Sequence, residues 1–426
     1  MQKKRKELLM DNKEFNRRYK LGNLTAVDFQ KIDIEQNKIS ELIGKPKKNS
    51  IEILKRFFKN PFYSAMFFLL LIILAFVIIA PLVSTFSATE KIIANSSEFF
   101  TNGLPPASNP MIVDRQISTT NLTSINRLYE LYNQYYNFPL PESRSGDVIG
   151  ETLATYNAYD VLRLQLLSNA VETFTLANSN TAPNAEQFNN ILQTVNAYNL
   201  NSILGTNKDG LDVWTRTWIA AGQSLGVAFL VSTVTTMIGV FVGIYLGFHV
   251  GKWIDTIFLR TVEIFQLLPQ IVFFIILVSL LGTNIWSLTL SLILINWADP
   301  ISGARFWTII MKDREFVVAA QAAGASKMRL IIFHILPSIL GKLFNSYVLR
   351  IPSAIFLISS LAFLGFLNDP TDPNLGNVLS RAINDYSNNI WVLVFPGLIL
   401  LSVTISLQFV AIGLHDALDP RLERSK

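Results

Sequence analysis

Cysteine is absent from the 426 residues, and histidine occurs three times, at 249, 334 and 415. Without thiols there is no disulfide framework and no thiolate metal site. Three scattered imidazoles do not make a metal cluster either. Charge is also scarce: Asp, Glu, Lys and Arg form 16% of the chain while half of it is hydrophobic, which excludes an ordinary soluble globule. A Gly-x-x-x-x-Gly-Lys-Ser/Thr phosphate loop is missing, since Gly251-Lys252 and Gly341-Lys342 lack its glycine spacing. ATP hydrolysis by such a loop is therefore excluded, and no cofactor is expected in this chain. No internal repeat is visible, so an inverted-repeat secondary transporter finds no support.

What the chain has is long apolar runs. Residues 62–86 are 25 uncharged positions in a row, enough to span a bilayer at 1.5 Å per helical residue. The run is too long and too far from the start for a cleaved signal peptide, and reads as a permanent anchor. Just before it, Ile51-Glu52-Ile53-Leu54-Lys55-Arg56-Phe57-Phe58-Lys59 has the pattern of an amphipathic helix on the membrane face. Five more apolar segments lie near 217–248, 255–281, 286–309, 338–366 and 390–413. Residues 1–60 hold 16 Lys+Arg against 8 Asp+Glu, and 87–213 hold 6 against 12. By the positive-inside rule the N-terminus is then cytoplasmic. Inner connectors carry His249, Lys252 and Arg260, or Lys312, Arg314, Lys327 and Arg329, whereas Gly282-Thr283-Asn284 is uncharged. Six crossings with both termini inside satisfy these signs. A basic segment beside a first span needs no nucleic-acid partner, and none is expected.

The expected fold class is an all-α membrane protein of six transmembrane helices with a helical outer insertion. Its parts are an N-terminal segment 1–60, a first span 61–86, the insertion 87–213, spans two to six over 214–413 with an inner loop 311–337, and a tail 414–426. Helical periodicity runs from Val148 to Ala177 through Leu153, Val161, Leu164, Leu167 and Val171, with Asp147 as N-cap. A second helical pattern covers Glu186 to Leu204, and 95–120, with Pro105-Pro106, reads as irregular. Gly222, Gly226, Gly239, Gly243 and Gly247 in the second span predict close helix packing.

The inner loop is distinctive. Arg314-Glu315-Phe316-Val317-Val318-Ala319-Ala320-Gln321-Ala322-Ala323-Gly324-Ala325-Ser326, closed by His334-Ile335-Leu336-Pro337, is a run of small helix formers ended by glycine. A helix with so little side-chain bulk can enter a groove on another protein, backbone close to backbone.

This loop resembles the coupling loop of ABC-importer permeases: Glu-Ala-Ala, three residues, Gly, nine residues, then a hydrophobe and Leu-Pro. Ala319, Ala320, Gly324, Leu336 and Pro337 match, while Val318 stands where that pattern has Glu. Leu204-Gly205-Thr206-Asn207-Lys208-Asp209-Gly210-Leu211-Asp212 resembles the Leu-Gly-Thr-Asp-x-x-Gly-Arg-Asp run of C-type permeases of dipeptide and oligopeptide importers. Trp297, Arg305, Phe363-Leu364-Gly365-Phe366, Phe395-Pro396-Gly397 and Asp416-Ala417-Leu418-Asp419-Pro420-Arg421 also match that family. Departures are the long insertion, Leu211 for Arg, Ile358 for Glu, and the charges Asp299 and Arg350.

The resemblance implies a permease subunit of an ATP-driven peptide importer, multi-pass in a bacterial plasma membrane and not itself an enzyme. Implied partners are a second, B-type permease, D- and F-type ATPase subunits that bind ATP and Mg, and an external peptide-binding lipoprotein. Glu315, Val318, Ala319, Ala320, Gly324, Ala325 and Pro337 are the implied ATPase-coupling residues. A secondary transporter would need an acid relay within the spans, where only Asp299 is available. A membrane-anchored receptor acting through 87–213 would leave the small-residue loop without a role.

Asp299 and Arg350 each fall about 12–13 residues into a span, ~18–20 Å along a helix. An unpaired charge at that depth costs ~2.5–3.5 kcal/mol even on insertion scales. They are expected to face the translocation pathway or the shared interior of the spans. Asp299 pairs there with Arg350, or each finds a partner on the second permease, or Arg350 pairs with Glu263.

Overall fold

The computed structural model describes residues 49–93, 98–108, 111–145, 150–365 and 374–418. The chain divides into two units, Met1–Lys55 and Arg56–Lys426, and the account below concerns the second. Asp147 and the terminal run from Asp419 lie outside the described residues.

Helix α1, Asn49–Lys59, leads to α2, Pro61–Val83, which Asn60 caps by accepting from Phe62 N at 3.0 Å. Leu70, Ile73 and Ala80 of α2 are buried, while Ile78 is 63% and Leu82 79% exposed. A helix this apolar on its open faces is built for lipid.

The outer region follows as α3 (Glu98–Thr101), β1 (Ile112–Ser118), α4 (Thr119–Tyr132), β2 (Glu142–Ser145), β3 (Glu151–Asn157), α5 (Ala158–Ala177) and α6 (Ala185–Ala197). Helices make up most of it, and a three-stranded antiparallel sheet in the order β1-β3-β2, which the sequence reading did not place, stands among them. Ile112 pairs with Asn157, Ser118 with Glu151, and Glu142 with Thr155. The helix expected from Val148 begins only at Ala158, with Asn157 as its N-cap. In Thr152-Leu153-Ala154-Thr155-Tyr156 the threonines favour strand and the alternation buries Ala154 and Tyr156. Beyond Asn157 the helical period holds: Val161, Leu162, Leu164 and Leu167 are at most 1% exposed, each contributing about 1.5–3 kcal/mol on burial. α6 opens on a capping box of Asn184 and Gln187 and stops at Ala197, short of Leu204.

Asp160 lies in the first turn of α5, where a helix N-terminus favours a charged carboxylate. Burial outweighs that and pushes its carboxyl from 3.8 up to about 6, with Arg163 opposing. The folded state thus holds this proton more tightly than the unfolded one. The stability linked to it is full below about pH 4 and lost as pH rises through about 6. Asp160→Asn should therefore slow amide exchange in α5 about fivefold at pH 7.5, ~1 kcal/mol after discounting for solvent screening, and change little at pH 4. Hydrogen exchange on the full chain reads both.

The membrane part continues with α7 (Val213–Phe248), α8 (Trp253–Gln266), α9 (Gln270–Leu281), α10 (Ile285–Asn296), α11 (Asp299–Lys312), α12 (Glu315–Ala322), α13 (Lys327–Leu330), α14 (Leu336–Phe363), α15 (Leu375–Ala382) and α16 (Trp391–Leu418). Among the described residues, four helical stretches are long and apolar enough to cross a bilayer: Pro61–Val83, Val213–Phe248, Lys327–Ala362 and Trp391–Ala417. The third and fourth expected spans are broken. α8 and α9 meet at 85° where Pro269 caps α9, and α10 gives way to α11 at Trp297-Ala298 just before Pro300. Each proline lacks an N–H and clashes with the preceding turn, which a count of apolar residues does not register. The fifth helical stretch starts at Lys327 rather than near 338, passing through a π turn at Ile331–Ile335.

One apolar core joins α2, α7, α14, α15 and α16 through Ile73, Trp218, Ala221, Ile355, Leu375 and Val403. Ile358, standing where the resembled family has Glu, is 3% exposed among Phe274, Leu292 and Leu361. α7 lies against α11 along its glycines: a Cβ on Gly243 would come within 2.5 Å of Ile301 O, and one on Gly247 within 2.6 Å of Thr308 Cβ.

The Leu-Gly-Thr-Asn run ties the outer region to the spans. Thr206 Oγ1 accepts from Leu104 N at 2.8 Å and donates to Thr101 O at 2.6 Å. Asn207 Oδ1 accepts from Asp209 N and Leu211 N, and Asp212 caps α7 through Thr215 N. Gly205 holds φ +77, and a Cβ there would collide with Leu104 O. Leu211, the residue replacing Arg, is 6% exposed. Asp385 is buried beside Lys208 Nζ at 3.3 Å, and burial pushes its carboxyl up against the pull of that lysine.

Candidate functional site

Two features stand out in the membrane part: a short surface helix and an ion pair set between broken helices.

The surface helix is α12. Arg314 precedes it in extended conformation, and it ends in a paired turn. Gly324 N donates to Gln321 O at 3.0 Å, and Ala325 N to Ala320 O at 3.1 Å. Such a turn needs a left-handed residue, and Gly324 has φ +89. A Cβ on Gly324 would meet nothing within 4 Å. Its role within the chain is the turn itself, and the space beside it is open. Val317 is 1% exposed, packed with Ile244, Ala304, Leu330, Ile335 and Ile339, while Ala320 and Ala325 border that cluster. Glu315, Val318, Ala319, Ala322 and Ala323 stay exposed. The helix is therefore anchored by Val317 and offers a surface on which Ala319, Ala322 and Ala323 add only methyl groups beside Glu315, Phe316, Val318 and Gln321. Pro337 stands in the first turn of α14, after the π turn, where a proline without an N–H is tolerated. Beyond it Lys342 Nζ lies 3.7 Å from the centre of the Trp307 ring.

Val317 was not among the expected coupling residues, yet it seats the helix. Its signal in the sequence was one of two adjacent valines before the alanines, too little to mark a buried face.

The second feature is at the breaks. Arg350 Nη1 of α14 lies 3.7 Å from Asp299 Oδ2 at the start of α11, with the side chains 24% and 32% exposed. Gln266, the last residue of α8, lies beside Asp299. Glu263 instead binds Arg260 Nη1 at 2.6 Å, which removes the alternative of an Arg350–Glu263 pair. A small cavity lined by Phe265, Gln266, Gln270, Ile295 and Asp299 adjoins the pair. Both charges thus sit beside two helix breaks, and charge within a span is kept for a water-lined path or a protein interior. The pair lies apart from the expected coupling residues, which occupy 315–337.

The terminal run also has a partner. Asp416 Oδ2 accepts from Tyr63 OH at 2.9 Å, joining the ends of α2 and α16. No cluster of three or more potential metal ligands occurs among the described residues.

Residues 239–424 match the family of binding-protein-dependent transport system inner membrane components. The oligopeptide transport system permease protein OppC of Mycoplasma pneumoniae is 32% identical over 404 residues, covering 93% of this chain and 97% of that protein. Its counterpart in Mycoplasma genitalium is 30% identical over 402 residues, with 92% and 96% covered. OppC of Escherichia coli is 37% identical over 217 residues, 51% of this chain and 72% of that protein. The mycoplasmal matches are long enough that they must take in most of the outer region.

Proposed function

The chain belongs to the permease family of binding-protein-dependent importers, on its oligopeptide branch, and on that premise we propose that α12 docks on an ATPase subunit while the face carrying Asp299 and Arg350 lines the peptide path. It is the membrane-spanning component of an oligopeptide transport system and not its catalytic subunit; permeases of this family work with ATPases and a substrate-binding protein.

The observation that carries the docking assignment is α12 itself, anchored through Val317 with its alanine face turned outward. A peptide carries charged termini and many backbone polar groups, so it needs a wet path through hydrocarbon. The six crossings expected from the sequence enclose such a path only with a second permease of the B type. D- and F-type ATPases that bind ATP and Mg supply the energy, with both termini of this chain on their side. An external lipoprotein delivers peptide to the outer region 87–213. That region seats the lipoprotein, or it serves as a cap that steadies the permease pair. Tyr135, 45% exposed, is the position for crosslinking, and capture of the other permease alone favours the cap. Tyr129 is buried and cannot serve.

The test is co-purification followed by uptake in proteoliposomes. ATP-dependent accumulation of a labelled oligopeptide is expected. Uptake driven by an ion gradient without ATP would overturn the reading. Within this scheme Val318→Glu, which places the family's acid on a half-exposed site, should keep uptake within about twofold. Repulsion between Glu315 and the introduced carboxylate, one turn apart, is worth only ~0.2–0.5 kcal/mol. Loss of uptake in Val318→Glu would mean that this groove excludes the acid.

A further inference from the structure

Trp297 and Arg305 belong neither to the docking helix nor to the Asp299–Arg350 pair, yet both are held in specific contacts. Arg305 Nε donates to Asp255 Oδ1 and Arg305 Nη2 to Asp255 Oδ2, each at 2.7 Å. The side chains are 19% and 3% exposed, and Gly251 N adds a bond to Asp255 Oδ2 at 3.3 Å. A two-pronged pair of this kind fixes direction as well as distance. It fastens α11 to the first turn of α8.

Towards the other end of α8 the ring of Trp297, in the break just before α11, lies 5.7 Å from that of Phe265 and 6.3 Å from that of Phe258. These rings border a cluster of Leu246, Val262, Ala298 and Ile301. α8 is thus attached to α11 near its start and packed against the beginning of α11 and the break before it near its end. The residue before Arg305, Ala304, packs in the cluster that holds Val317 of the docking helix. The last residue of α8, Gln266, lies beside Asp299 at the break over Leu267–Pro269.

We propose that Arg305 and Asp255 are positioning residues of the coupling step: they make α8 and α11 move as one body, so that a displacement of the docking helix reaches the break beside Asp299. The proposal rests on the reading of α12 as the ATPase dock. Interhelical packing alone can slide, because apolar contacts have no preferred direction. The bidentate pair removes that freedom at the end nearest the dock.

The absence of native cysteine permits a direct test on the full complex in proteoliposomes. One environment-sensitive fluorophore is placed at Met328→Cys, 65% exposed beside the dock, or at Leu268→Cys, 46% exposed at the break. In the parent both labels respond to ATP with Mg. In Asp255→Asn, and in Arg305→Lys, which keeps the charge but loses the fork, the Met328 label should still respond. The Leu268 response should fall at least about fivefold while ATP hydrolysis stays within about twofold. The exchanged pair Asp255→Arg with Arg305→Asp should recover about half of the Leu268 response.

Should the single variants fail to assemble, the exchanged pair decides, since a Leu268 response there supports the pair and its absence refutes it. Both labels falling silent together, or an undiminished Leu268 response in the single variants, overturns the proposal. A parent complex whose Met328 label ignores ATP overturns the docking reading first, and the proposal with it.

Discussion

Replacing Ala319 by tryptophan is expected to lower ATP-driven peptide uptake roughly a hundredfold while leaving membrane insertion and the yield of the chain unchanged. The residue is exposed on α12, on the face opposite Val317. Within this chain an indole there points to solvent and displaces nothing, and the helix loses only ~0.5 kcal/mol of intrinsic propensity. On an ATPase surface shaped for alanine the same indole holds the backbones several ångströms apart and forfeits the contacts of the whole face. Ala319→Ser, which adds one hydroxyl, should stay within about twofold. Quantifying the ATPase that co-purifies with each variant, beside uptake, separates lost docking from lost folding. Full uptake with Ala319→Trp would move the dock elsewhere. Gly324 is a less clean probe, because a side chain at φ +89 strains the turn whatever the partner does.

Much of this architecture is legible in the chain because the bilayer imposes a one-dimensional rule: a span must be apolar for about twenty residues. α2, α7 and α16 follow it and stand close to the segments expected at 62–86, 217–248 and 390–413. The rule says nothing about direction within a span. Pro269 and Pro300 were in view, but apolarity on both sides concealed that each ends a helix. In the outer region, where no bilayer constrains the chain, Leu153 and Val161 fit a helical period by coincidence. The threonines at 152 and 155 decide for strand through their pairing with β1 and β2. That 315–322 forms a short surface helix was legible from composition, a run of small helix formers between basic residues. Its anchor was not, because burial of Val317 depends on Ile244, Ala304 and Leu343, which come from three other helices. The same holds for Asp255, fifty positions from Arg305; a contact at that separation leaves no periodic trace. Asp299 and Arg350 were legible as a pair because charge at mid-span has so few acceptable surroundings.

That scarcity makes the pair sensitive to the loss of either member. Arg350→Ala leaves Asp299 beside Gln266, at a break where the surroundings are partly closed. For a fully buried pair the loss of one member costs ~3–5 kcal/mol. With the side chains 24% and 32% exposed and the contact at 3.7 Å, water screens part of that, and ~2–3 kcal/mol is the expected cost. Uptake by Arg350→Ala should fall about 30- to 100-fold, with part of the fall visible as a lower yield of assembled complex. Asp299→Ala alone strands the guanidinium and should cost a similar amount. Made together, the two changes leave no charge behind, so the double variant should recover at least about tenfold over Arg350→Ala. Arg350→Lys should lie between, since an ammonium restores charge but not the planar reach of the guanidinium. Uptake and assembly measured on all four variants close the cycle. Strictly additive losses would mean that the two charges act independently and that their approach in α11 and α14 has no energetic weight.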